Sequence, residues 1–284
     1  GFVLDVDPED PEDLDMPFWV TAHEMGHQWW PHQVSGGNVQ GSGFLSEGLA
    51  EYSAVSLLEK EKGEKQLRKF LKYELDKYLI GRYTEQKFEP TIVQTENHPY
   101  IHYNKAGLMM YTLSDFIGKD VLNKALGMFI ERFRYQSDPY TNIGEFVNTI
   151  REDTPDDLQY LLTDTFEKIT LYENKAKEAS AVENEDGTFT VTIEVKAKKV
   201  YSDSLGNQTN AELNDWLEIG VLGETLVNGD MEEIPIYLEK VLIADSLTTF
   251  TVQVDKKPIK AGIDPMHKFV DRDSDDNLVR VTFE

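Results

Sequence analysis

The sequence predicts an α+β fold of more than one domain, in which a mostly α-helical part is followed by an antiparallel β-sandwich. Apolar residues recur at the 3.6-residue spacing of helices from about residue 16 to 173, and near residue 180 the spacing changes to two, as in strands. Turn signals such as Asp186-Gly187 separate the alternating runs. The predicted division is an acidic connecting loop at 1–16, a helical domain at 17–178 and the β-sandwich at 179–284.

The first elements are predicted from charge and capping. Residues 1–16 hold seven acidic groups and no basic one, and two prolines interrupt them, as is typical of a solvated loop. Because the sequence opens with Gly-Phe-Val-Leu before any turn signal, we expect a piece of a longer protein. Asp15 is placed to cap a helix that starts near Pro17 and runs from Phe18 to Trp30.

The remaining elements follow from periodicity. Helices are predicted at 44–62, 64–82, 104–117, 119–134, 141–153 and 155–171. Strands are predicted where apolar residues alternate, at Phe189–Val195, Phe250–Val254 and Val279–Phe283. Asn228-Gly229 is predicted as a hairpin turn between two such runs.

The composition indicates a folded globular chain and excludes several functional classes. The 284 residues are 40% hydrophobic and 11% aromatic, unlike disordered chains. Lys and Arg number 28 against 52 Asp and Glu, a net charge of −24, so no nucleic-acid partner is expected. No apolar run approaches the roughly 20 residues of a membrane-spanning helix, so no direct membrane contact is expected. The lack of cysteine excludes disulfides and cysteine-ligated metals.

The most informative stretch is His23-Glu24-Met25-Gly26-His27, an H-E-x-x-H pattern inside a predicted helix. Residues four apart share one helix face, so both imidazoles can reach a single metal ion. Glu24 is rotated about 100° from His23, which suits it to contact a metal-activated water rather than the metal. A metal that activates a water molecule and a carboxylate that takes its proton together favour hydrolysis.

A third ligand is predicted in the next helix. Glu47 shares a helix face with Phe44, Val55 and Leu58, and a carboxylate among apolar neighbours needs a partner such as a metal. With the two histidines, Glu47 would complete the His₂Glu set of a catalytic zinc, one ion per chain. Glu51, one turn beyond, either orients His23 from behind or is an ordinary solvated carboxylate, and the sequence leaves both interpretations open.

The segment His23–Tyr52 closely resembles the gluzincin aminopeptidases, the aminopeptidase N-like zinc metallopeptidases. That family has 18 residues between H-E-x-x-H and the glutamate of an Asn-Glu-Gly segment. Here the intervening segment Gln28–Ser46 has 19 residues, and Ser46 stands where the family has asparagine. The extra residue falls in a glycine-rich loop, where an insertion costs little, so Glu47 is retained as the ligand. The variant resembles a bacterial branch sometimes fused to ABC-transporter-permease-like membrane segments, which would place it on an extracytoplasmic face.

A second match lies downstream. Tyr103-Asn104-Lys105-Ala106-Gly107 resembles the family's Tyr-x-Lys-Gly segment, whose tyrosine hydrogen-bonds the oxyanion of the tetrahedral intermediate, and the resemblance implies that role for Tyr103. The alternatives are a tyrosine packed at a helix start, or Tyr100 in the catalytic role. His98 and His102 flank the segment and either line the cleft or are ordinary loop histidines, and we favour the second interpretation.

The resemblance implies zinc-dependent peptide hydrolysis of the aminopeptidase type, with Glu24 as general base. The family's Gly-x-Met-Glu-Asn motif, which recognises the substrate's free amine, does not occur before His23, so end-wise or internal cleavage stays open. We expect these residues to bind zinc and to have little or no peptidase activity alone. The other hypothesis is a catalytically incomplete zinc-binding or interaction module of a larger membrane-anchored protein; Glu24 favours the enzyme.

One weaker pattern is Asp271–Asn277, which has the alternating carboxylates of a calcium loop. Asp276 stands at the position that requires glycine, and Thr282 at the position that requires glutamate. We interpret the segment as an acidic turn.

Overall fold

The computed structural model describes residues 6, 13–227 and 230–283. It divides into two units, one of Gly1–Ile169 with Ser202–Asn207 and the other of Thr170–Tyr201 with Gln208–Glu284. The described α-helices lie in the first unit and most strands in the second, which confirms the α+β class. Most of the predicted acidic loop, and the predicted turn Asn228-Gly229, lie outside the described residues.

The first unit is built from six α-helices among the described residues. They are α1 (Met16–Gly26), α2 (Leu49–Thr84), α3 (Ala106–Ile117), α4 (Lys119–Phe133), α5 (Ile143–Asp153) and α6 (Gln159–Leu162). Helices α4 and α5 share an aromatic core with the segments just before α2 and just after α6, and its rings in contact are those of Phe44, Phe129, Phe146 and Phe166. Aromatic side chains of this size contribute much of the free energy of folding.

Helix α1 begins where predicted and ends earlier. Asp15 Oδ1 accepts a hydrogen bond of 3.1 Å from a first-turn backbone N–H, which confirms the predicted cap. The predicted extension to residue 30 is wrong, because Pro31 offers no N–H and disfavours a helical residue before it. His27 therefore caps the helix, and turns follow.

Helix α2 consists of two helices that meet at Gly63, where φ is +79° and ψ is −179°. This confirms the prediction of separate helices on either side of residue 63. A Cβ at Gly63 would meet no atom within 4 Å, so glycine is required for its backbone freedom and not for space.

Two π-helical turns precede α2 and α3 and were not predicted. They are Phe44–Gly48 and Tyr100–Lys105, and each runs directly into the following helix. A Cβ on Gly48 would lie 2.9 Å from the Ala106 Cβ, so the absence of one lets the two segments pack closely. Turns of this kind occur frequently at functional sites.

The described part of the second unit is arranged in three sheets. The strands are β1 (Ile169–Tyr172), β2 (Lys175–Glu183), β3 (Phe189–Lys196), β4 (Lys199–Ser202), β5 (Gln208–Asn210), β6 (Asp215–Val227), β7 (Asp230–Ile243), β8 (Leu247–Val254), β9 (Pro258–Ile263), β10 (Leu278–Arg280) and β11 (Thr282–Phe283). The sheet orders are β1-β4-β5, β10-β9-β6-β7 and β11-β2-β3-β8. The predicted alternation on β3 is confirmed, since Val191, Ile193 and Val195 are buried. Pairing is antiparallel between the long strands, and β11 joins β2 in parallel.

The predicted helix at 155–171 is wrong beyond residue 167, because the helical segments end at Glu167 and β1 starts at Ile169. Strand β2 also starts before the predicted boundary at 178–179. Its sequence is rich in Ala, Lys and Glu, which favour helix in isolation. Pairing with β3 outweighs this preference, and a register shift between Ala176 and Glu178 further hides the alternation.

In the part of the chain that the structure describes, every helix is too short or too polar to span a bilayer.

Candidate metal centre

The end of α1 and the π-helical turn before α2 bring three predicted ligands together. His23, His27 and Glu47 each offer one donor atom, and the three atoms lie within 4.8 Å of one another. The His23 Nε2 lies 3.3 Å from a Glu47 carboxylate oxygen, and the His27 Nε2 lies 3.5 Å from the same oxygen. Among the described residues this is the one group of three or more His, Asp or Glu side chains with such convergence.

The spacing of these atoms fits a zinc ion. Ligands about 2.0–2.1 Å from a tetrahedral zinc lie about 3.3 Å from one another, close to the two nitrogen-to-oxygen distances. The planes of the two imidazole rings stand at 89° with centroids 4.7 Å apart, and both rings direct Nε2 toward the same Glu47 oxygen. Two imidazole nitrogens and one carboxylate oxygen are also the donor set of catalytic zinc sites that keep an open position.

Glu51 lies behind His23, on the side away from Glu47. Its Oε1 is 3.3 Å from the His23 Nδ1, and its side chain is 1% exposed, so it is not a solvated surface carboxylate. Burial lowers the pKa of His23, but the hydrogen bonds of Glu47 and Glu51 outweigh it and raise this pKa to about 9. A carboxylate in this position holds the proton on Nδ1, so the Nε2 proton is the one that His23 would give up on binding a metal.

Glu47 is held as an anion by its neighbours. Burial raises the pKa of this carboxyl, but interactions with His23, Tyr103 and Ser46 outweigh burial and lower it to about 2. The Ser46 hydroxyl donates to Glu47 Oε1 at 2.9 Å, so the neighbouring serine orients the carboxylate.

The two predicted catalytic residues lie beside this group. Glu24 is exposed on α1, and its charge acts on Tyr103. The Tyr103 ring lies 5.8 Å from the His23 ring, and burial together with Glu47 raises the pKa of its phenol. Tyr100 instead donates to Glu85 at 3.4 Å, so the structure places Tyr103 and not Tyr100 next to the ligands.

The other histidines divide into two groups. His102 is half-buried with its ring 4.9 Å from that of Tyr103, and the Glu47 charge acts on it, so it lies close to the candidate site. His98 packs against Phe88 and Tyr100. His32 is exposed, and His267 lies in the second unit.

Sequence reasoning missed a buried carboxyl close to these residues. Glu74 of α2 is fully buried, and its Oε2 accepts a hydrogen bond of 2.8 Å from the Asn104 side chain. The available signal was its position among apolar residues at helical spacing, with Phe70, Leu71 and Tyr78 around it.

The segment Asp271–Asn277 has the contacts of an acidic turn. Asp271 accepts hydrogen bonds from the backbone N–H groups of Asn174 and Asp273, and Asp276 pairs with Lys175 at 2.8 Å. These carboxylates are therefore occupied by donors of the protein itself, which supports the interpretation as an acidic turn.

Comparison with known proteins gives a family match. A family model described as the peptidase family M1 domain matches residues 4–166, more than half of the chain. The search of curated proteins found no match. Among solved structures, the aminopeptidase A of Legionella pneumophila in complex with aspartic acid is similar, with 18% identity and a TM-score of 0.44. The match covers 94% of this chain and 27% of the Legionella chain. On the family match, the chain belongs to peptidase family M1.

Proposed function

We propose that this chain carries the zinc site of an aminopeptidase-like metallopeptidase, a protein that acts on peptides. The observation that carries the proposal is the convergence of the His23, His27 and Glu47 donor atoms within 4.8 Å. Membership of a peptidase family supports a hydrolase. Because the chain spans 27% of the length of the solved relative, the activity, substrate and partners of the whole protein are part of the proposal.

The residues of the site would divide the reaction among them. A bound zinc ion lowers the pKa of a water molecule and polarises the scissile carbonyl. Glu24 takes the proton from the attacking water and returns it to the leaving amine. Tyr103 donates a hydrogen bond to the oxyanion, and its raised pKa keeps the phenol protonated for this task. Glu51 holds the His23 ring in its tautomer and orientation.

The first experiment is zinc per chain, measured by elemental analysis on protein purified without added metal. We expect a value near one, and a value near zero for Glu47→Ala. The matched control is Glu61→Ala, because Glu61 is an exposed glutamate on α2 away from the site, and it should leave the zinc content unchanged.

The second experiment measures hydrolysis of aminoacyl arylamides and of internally quenched peptides. Activity that disappears in Glu24→Gln, with zinc retained, supports the peptidase, and the preferred substrate distinguishes end-wise from internal cleavage. Because little or no activity is expected of these residues alone, zinc without activity calls for the same assay on the full-length protein, where continued inactivity favours the alternative, an interaction module of a larger protein. A folded chain without zinc overturns the metal-site proposal.

A further inference from the structure

A second polar cluster lies next to the candidate metal centre and has no role in the chemistry proposed above. It consists of Glu74 on α2 and Asn104 in the π-helical turn. Glu74 is fully buried, and its Oε1 has no hydrogen-bond partner among the described residues, whereas Oε2 accepts from Asn104 Nδ2 at 2.8 Å. A buried carboxyl with a single hydrogen bond costs free energy, which an apolar side chain at this position would avoid.

The position of Asn104 indicates what this hydrogen bond does. Asn104 directly follows Tyr103, so any force on its side chain acts on the backbone that carries the phenol. The turn is wider than an α-helical turn, and its backbone has no side-chain cap. The bond from Asn104 to Glu74 therefore ties the turn to α2 at the residue next to Tyr103.

The phenol itself interacts with Glu47, and two contacts further along the segment act at a greater distance from it. Gly107 lies against Glu51, since a Cβ there would be 3.2 Å from the Glu51 Cβ. The Lys105 ammonium lies 5.1 Å above the Tyr78 ring. These contacts fix the start of α3, whereas the Glu74–Asn104 bond is the polar contact nearest to Tyr103 on its C-terminal side.

We propose that Glu74 is a positioning residue, which acts through Asn104 to hold the Tyr103 phenol beside Glu47. The inference rests on the proposed function, because it assigns Glu74 a task in orienting the oxyanion donor. Burial, with the nearby Glu51 carboxylate, raises the pKa of Glu74 well above its usual value, so glutamine is a close mimic of its side chain.

The test follows the Tyr103 resonance directly. The 13 tyrosines are labelled with ¹³C at Cζ, and the Tyr103 signal is the one that Tyr103→Phe removes. We expect Glu74→Met and Asn104→Ala to shift this signal, and Glu74→Gln, which keeps an acceptor for Asn104, to leave it in place. Asp76→Met is the matched control, because Asp76 is a half-exposed carboxylate on the same helix that pairs with Lys72.

Kinetics and zinc content give independent readouts. Glu74→Met should lower kcat about 10- to 100-fold with KM within about twofold, zinc per chain should stay at the wild-type value, and Glu74→Gln should restore kcat. A Tyr103 signal unmoved in both Glu74→Met and Asn104→Ala overturns the proposal, as does a loss in Glu74→Gln equal to that in Glu74→Met. If Glu74→Met does not fold, Asn104→Ala decides alone. If the wild-type chain lacks zinc and activity, the proposed function fails. The position of the Tyr103 signal in the Glu74 variants still tests whether Glu74 positions the phenol.

Discussion

Substitution of Glu24 should lower activity without loss of zinc, unlike substitution of the three candidate ligands that lie close to it. Glu24→Gln keeps the size of the side chain and removes its ability to take a proton. We expect the zinc content of this variant to equal that of the wild type and its kcat to fall at least about 100-fold. Parallel elemental analysis and peptide hydrolysis measure both quantities, and a variant that loses zinc would show that Glu24 serves the metal.

Tyr103 contributes a single hydroxyl to the site, so Tyr103→Phe tests that group alone. Loss of one oxyanion donor typically costs about 100- to 1,000-fold in kcat. We expect a loss of this size with little change in KM, measured on the best peptide substrate found. Tyr100→Phe is the control, since Tyr100 faces Glu85 instead of the ligands, and equal losses in the two variants would contradict the assignment.

Single residues show where sequence reasoning succeeds and where it stops. The i, i+4 spacing of His23 and His27 on one helix predicts that they bind the same metal ion, and the structure brings both together with Glu47. Glu74 could not be singled out in the same way. Its helix has many Lys and Glu residues, so its place among apolar residues at helical spacing is a weak signal, and the three-dimensional neighbours show that it is buried.

At the scale of elements, the break in α2 gives a stability prediction. Gly63 has a backbone conformation that is almost restricted to glycine, so Gly63→Ala should lower the free energy of unfolding by about 1–3 kcal/mol. Gly127→Ala is the matched control, because Gly127 lies inside α4 with no atom near its added Cβ, and it should raise stability by about 0.4–1 kcal/mol. Urea unfolding measures both, and effects of the same sign would refute the explanation.

Elements were predicted well where periodicity and a local signal agreed. The Asp15 cap of α1 and the break at Gly63 are examples, because a capping oxygen and a glycine act within a few residues. The π-helical turns escaped prediction, since one extra residue per turn barely disturbs a 3.6-residue pattern. Strand β2 escaped because its pairing with β3 overrides an intrinsic preference for helix.

For the molecule as a whole, Asp271 links stability to pH. Its burial, helped by the Asp276 charge, outweighs two backbone hydrogen bonds and raises its pKa to about 6 from 3.8. The folded state therefore binds the proton more tightly than the unfolded state, and the resulting stabilisation is lost as pH rises through 6. Between pH 5 and 7.5 the wild type should lose about 1.4 kcal/mol relative to Asp271→Asn, which stays neutral.

Urea unfolding of both proteins at the two pH values measures this difference. A gap that stays constant between pH 5 and 7.5 would exclude Asp271 as its source.

At this scale the sequence correctly predicted helices followed by antiparallel strands, because the change of hydrophobic period extends over many residues. It misplaced the start of the strands by about ten residues, since β1 and β2 lack a clear alternation.

The candidate ligands lie on both sides of the glycine-rich segment, two at the end of α1 and one in the π-helical turn before α2. A metal shared by them would act as a cross-link that closes a loop of about 20 residues between His27 and Glu47 and reduces the freedom of the unfolded chain. Removing the metal with a chelator should therefore lower the melting temperature. It should also speed protease cleavage within residues 31–43, while cleavage elsewhere keeps its rate.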